Sequence, residues 1–149
     1  MNVLNRIAPH AHWFLRISLA SVFLYHGLAK FPVLGALASM MKMPVAMVAV
    51  LAIMETLGGA LILAGGVVNK DWVTRLGGLL LVPIMLGAIF MVHAQHGWNS
   101  VNMGSGNMGR GMEFQVTLLL QALTFLVVGN AFNGLQIGTG AHKPQAAAQ

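Results

Sequence analysis

The chain has 149 residues, of which 57% are hydrophobic and only 7% charged, with a formal net charge of +5 and no cysteine. A water-facing surface needs far more charge, roughly 25% in an ordinary soluble protein, and a chain this short has no large core to hide apolar runs in, so the remaining solvent is lipid. The basic residues stand singly rather than in a patch, which argues against nucleic acid as a partner, and without cysteine there is no disulfide, thiolate metal site or thiol redox centre.

Four apolar segments follow in chain order, at about 13–29, 45–66, 72–92 and 114–132. Each is close to the ~20 residues that an α-helix needs to cross about 30 Å of hydrocarbon. They are continuously apolar, whereas the strands of a membrane barrel alternate. The expected fold is an all-α membrane protein, a bundle of four transmembrane helices forming one domain over 1–137, with 138–149 a disordered tail.

The first segment carries Arg16 and ends on His26 and Lys30. Ala36-Leu37-Ala38 imitates a signal-peptide cleavage site but lies too far beyond the apolar stretch Ile17 to Tyr25, so the segment is expected to stay. The second begins at Pro44, where a missing N–H is tolerated, and contains Glu55. The short Lys70-Asp71 turn makes the second and third segments an antiparallel hairpin. Pro83 is expected to kink the third, which ends near His93 and His96. A Gly-, Asn- and Ser-rich connection, expected to be flexible, leads to Glu113, Gln115 and the fourth segment, where Gln121 can bond a neighbouring helix. Trp13, Trp72 and Trp98 fall near the expected interfaces, and the Lys and Arg residues near helix ends favour both termini in the cytoplasm.

Ionisable groups cost about 2.5–3.5 kcal/mol each at the centre of a membrane helix, so each one asks for a reason. Counting down from Pro44 and from Lys30 at about 1.5 Å per residue puts Glu55 about 16 Å and Arg16 about 21 Å below one boundary. That depth predicts an Arg16–Glu55 ion pair, either holding two helices in register or leaving the carboxylate to handle protons. His26, Lys30, His93, His96 and Glu113 gather at the same rim. Imidazoles and carboxylates there can bind a metal, bond a quinone carbonyl or shuttle protons, or simply sit hydrated at helix ends. Met40, Met41, Met43, Met103, Met108 and Met112 lie in or beside the loops on that side, where thioethers would suit Cu(I); methionine is equally an ordinary apolar residue.

Arg16 to Phe31, RISLASVFLYHGLAKF, resembles the opening signature of the DoxX family: an Arg, an apolar run, then H-G-x-x-K. Glu55 to Gly65, ETLGGALILAG, His93 to Trp98 and Glu113 to Leu120 are similar to its later elements, so the resemblance covers about Leu15 to Gly129. It implies a small four-helix protein of the bacterial inner membrane. Some relatives are subunits of thiosulfate:quinone oxidoreductase, and others belong to membrane-associated redox or stress-response complexes. The matching positions are Arg16, His26, Gly27, Lys30, Glu55, Gly59, His93 and Glu113. The Met- and Gly-rich stretch from Val101 to Gly111 departs from the pattern.

The expectation that follows is a membrane subunit of a redox complex with a quinone as cofactor. His26, His93, Lys30 and Arg16 would bind it, and Glu55 and Glu113 would relay protons. No metal site is assigned. The alternatives are a non-catalytic scaffold for a partner enzyme and a periplasmic copper-binding protein. The expected partners are the lipid bilayer and a protein of the same complex, and a second copy of the chain is left open.

Overall fold

The structure is a computed structural model and describes residues 3–101, 109–131 and 133. A short helix α1 (Val3–Ile7) and a 3-10 turn at Ala8–His10 lead into α2 (His12–Lys30). A second 3-10 turn, Phe31–Val33, carries the chain into α3 (Leu34–Met41). Then come α4 (Val45–Val67), α5 (Asp71–Ala88) and, after a loop, α6 (Glu113–Val128). Between α5 and the loop, the helix continues as a π turn at Ile89–His93 and a 3-10 turn at Ala94–His96.

The chain is therefore an all-α membrane bundle, with α2, α4, α5 and α6 as the four expected long helices. Val3–Met41, Val45–Val67 and Asp71–His96 are long and apolar enough to cross a membrane, while α6 is shorter at 16 residues. The first helical stretch runs well past the expected end near residue 29. Pro32 lacks an N–H, but it stands early in a short 3-10 turn where that N–H would have no partner, so the chain carries on to Met41. Lys42, in the left-handed region at φ 53°, then stops it, and Pro44 opens α4 as expected. Pro83 sits inside α5 without ending it.

The long helices pack in chain order, α2 on α4, α4 on α5 and α5 on α6, whereas α2 and α6 close the ring with a much thinner contact. In lipid, helix association rests on close packing rather than on expulsion of water, so small residues matter at the seams. Gly58 faces Leu81 and Gly77, Gly65 faces Thr74, and Gly78 lies against the α6 backbone at Ala122 and Leu126. A buried cluster including Leu19, Phe23, Ile62, Leu81, Leu118 and Phe125 fills the interior. Phe14, Ile17, Tyr25, Val50, Leu79 and Leu120 are exposed, which suits a surface that meets acyl chains rather than water.

The α2–α4 seam fixes the heights that decide the site. Gly27 lies against Ala52 and Thr56, Gly59 against Ala20 and Leu24, and Gly66 against Arg16. Glu55 is thus level with the last turn of α2, and Arg16 with the last turn of α4.

Candidate functional site

The expected Arg16–Glu55 pair does not form. Lys30 Nζ instead donates to Glu55 Oε2 at 2.5 Å and to the His26 carbonyl at 3.1 Å. The depth count failed because it set Lys30 and Pro44 at the same height. Lys30 is in fact level with Glu55, eleven residues into α4, an offset of about 16 Å at ~1.5 Å per residue. The side chains of this pair are 21% and 9% exposed, so the charges are largely withdrawn from solvent and meet each other.

A cavity of about 200 Å³ opens beside the pair. His26 and Lys30 reach it from α2, Glu55 from α4, His93 from the π turn and Gln115 from α6. Phe23, Met85 and Leu118 are among its apolar walls. The π turn matters locally: one extra residue turns everything after it by about 100° relative to an α-helix. His93 Nδ1 lies 2.7 Å from the Arg110 carbonyl, which can only accept, so Nδ1 carries a proton. His26 makes an edge-on contact with Tyr25, with centroids 5.4 Å apart. Gln115 Oε1 is buried and has no hydrogen-bond partner.

Arg16 belongs to the opposite end of the bundle, where each of its five N–H groups is taken within the chain. Nε donates to His12 Nδ1 at 3.1 Å, and Nη1 to the Ile62 carbonyl at 2.6 Å and Thr74 Oγ1 at 3.0 Å. Nη2 donates to Asn130 Oδ1 at 2.6 Å and Asn133 Oδ1 at 3.4 Å. The guanidinium also stacks over the Phe125 ring at 4.9 Å. Asn130 Nδ2 in turn donates to the Gly65 carbonyl. Among the described residues no carboxylate pairs with Arg16, which is 0% exposed. A permanent charge is held by neutral dipoles drawn from α2, α4, α5 and the segment after α6, a lock rather than a binding site.

Glu113 lies outside the cavity. It lines an adjacent, open cleft with Trp98, Ser100 and Thr117, and its Oε1 accepts the Ser100 N–H at 3.0 Å. His96 does not line the cavity either. Met103, Met108 and the tail from 138 onward lie outside the described residues. Among the described residues no three His, Asp or Glu side chains are grouped to hold a metal ion. Sequence reading placed Gln115 at the rim but gave it no role. A neutral amide in the first turn of a helix carries no cost signal of the kind that marks Glu55.

Residues 11–94 match the family model of DoxX. The chain belongs to the DoxX family. No curated protein and no solved structure matches it. The DoxX match takes in Arg16, His26, Lys30, Glu55 and His93 and ends before α6, which carries Glu113 and Gln115.

Proposed function

We propose that this DoxX protein is the membrane subunit of a quinone-linked redox complex and that the cavity between α2, α4, α5 and α6 holds the quinone head group. The observation that carries the reading is the cavity itself: an apolar-walled space inside a membrane bundle where Lys30, Glu55, His26, His93 and Gln115 meet. At about 200 Å³ it is smaller than the ~300–1,000 Å³ of pockets for drug-sized ligands, a size suited to one ring with its tail left in lipid. The loosely packed α2–α6 seam offers the tail a way out between Val22 and Leu118, which both line the space. Gln115 Oε1 at this wall is an unpartnered acceptor, which a hydroxyl of the reduced ring would satisfy.

A bound quinone supplies two-electron, two-proton chemistry, which this chain cannot supply without cysteine or another redox group of its own. The electrons come from a partner subunit. Lys30 uses two of its three N–H groups on His26 and Glu55, and the third is left to meet an oxygen of the ring. Its positive charge stabilises negative charge that develops there. Glu55 has a second carboxylate oxygen beside Lys30 to accept or return a proton, with His26 on the same wall one turn before Lys30.

Purification in mild detergent followed by extraction should recover quinone, and Lys30→Met should lower affinity for a short-chain ubiquinone by about tenfold, near 1.4 kcal/mol. A scaffold would instead bring down a partner and bind no quinone. Failure to retain any quinone, with unchanged behaviour of His26→Ala and Lys30→Met, overturns the reading.

A further inference from the structure

We infer that the cavity selects the dihydroxy, reduced form of the ring over the dicarbonyl form. The inference rests on the quinone reading above and adds the redox state that the walls recognise. A quinone offers only acceptors, so its site must present donors; a quinol offers two O–H groups and needs acceptors. Three wall positions end in acceptors. Gln115 Oε1 is buried and unpartnered. His93 spends its Nδ1–H on the Arg110 carbonyl, which makes Nε2 the acceptor of an uncharged ring. Glu55 commits Oε2 to Lys30 and keeps Oε1. Against these stand one remaining N–H of Lys30 and a ring N–H of His26.

Gln115 decides the balance. Its amide nitrogen is not among the buried unpartnered atoms, while the oxygen is buried with no partner in the protein. An acceptor shut away without a partner is destabilised until a ligand O–H arrives, and only the reduced ring carries one. The broad terminal torsion of glutamine allows the small turn that brings Oε1 onto such a hydroxyl.

The test uses the full chain in nanodiscs, titrated with decylubiquinone and, under a held reducing potential, decylubiquinol. The quinol should bind about tenfold tighter, the worth of one good hydrogen bond to an otherwise unsatisfied group. Gln115→Met, close in size but without the acceptor, should bring quinol affinity down to that of the quinone. Gln115→Glu keeps an oxygen in place and should keep the preference, which separates loss of the acceptor from loss of the fold. Equal affinities, or a tighter quinone, in the unmodified protein overturn the selectivity and leave the quinone site standing. Binding of neither form overturns both.

Discussion

Lys30 and Glu55 lie 25 positions apart in sequence and meet at 2.5 Å in the wall of a cavity, at a height where either alone would be an unpaired charge in a membrane protein. The pair gathers the site because its partners' backbones fit. Gly27, one turn before Lys30, has no side chain to hold α2 away from Ala52 and Thr56 beside Glu55.

Breaking this pair from one side should therefore cost more than removing it. Glu55→Gln and Lys30→Met each strand the opposite group, with an expected loss of about 1–3 kcal/mol, below the ~3–5 kcal/mol of a fully buried pair because Lys30 keeps some exposure. The Lys30→Met, Glu55→Gln double variant should regain most of the thermal midpoint in detergent and still fail to bind quinone. A double variant as unstable as the sum of the singles would mean that the two groups are not coupled.

Arg16→Lys preserves the charge and tests the lock. An ammonium has three donors for five acceptors and no planar face for Phe125. At about 1–3 kcal/mol for each buried acceptor left bare, the loss should reach roughly 2–5 kcal/mol. Thermal unfolding monitored by circular dichroism reads it. Quinone affinity of the protein that remains folded should not move, since the cavity is at the other end.

What could be read from the chain was whatever a single helix carries on its own. Apolar length announced four long helices, Pro44 announced where α4 begins, and the cost of charge in lipid singled out Arg16, Lys30 and Glu55. Pairing between helices was harder, because it depends on relative height, and one wrong assumption about Lys30 and Pro44 joined Glu55 to the wrong cation. The acceptors of Arg16 were beyond reach for the same reason: Thr74 and Asn130 are 58 and 114 positions away and neutral. His12, four residues before Arg16 on the same helix face, was the one local clue.

Two glycines should respond oppositely to the same change. A methyl group at Gly87 meets nothing within 4 Å, whereas one at Gly78 would press on the α6 backbone at Ala122 and Leu126. Gly87→Ala should be neutral or stabilising by up to about 1 kcal/mol through helix propensity alone. Gly78→Ala should destabilise by about 1–3 kcal/mol, the usual range for overpacking. Paired melting curves check both, and a stable Gly78→Ala would mean that α5 and α6 are not in close backbone contact.

The end of α6 is held by side chains of α5 as well as by its own cap, the Gly129 N–H on the Phe125 carbonyl. Arg75 Nη1 donates to the Leu126 carbonyl at 3.0 Å and the Val127 carbonyl at 2.6 Å, two of the acceptors that a helix leaves unpaired at its C-terminus. Asp71, one turn earlier, accepts from Arg75 Nε at 2.5 Å and from the Asn130 N–H at 2.7 Å. Gly129, with φ 61°, turns the chain where a side chain would collide with both. This clamp also delivers Asn130 to Arg16, so losing it should loosen the lock as well as the helix end. Arg75→Met should speed amide exchange at residues 126–130 by about five- to tenfold, the equivalent of roughly 1 kcal/mol of local opening, and leave the middle of α6 protected. Exchange unchanged at those amides, followed by mass spectrometry in detergent, would show that packing against α5 holds the end without the clamp.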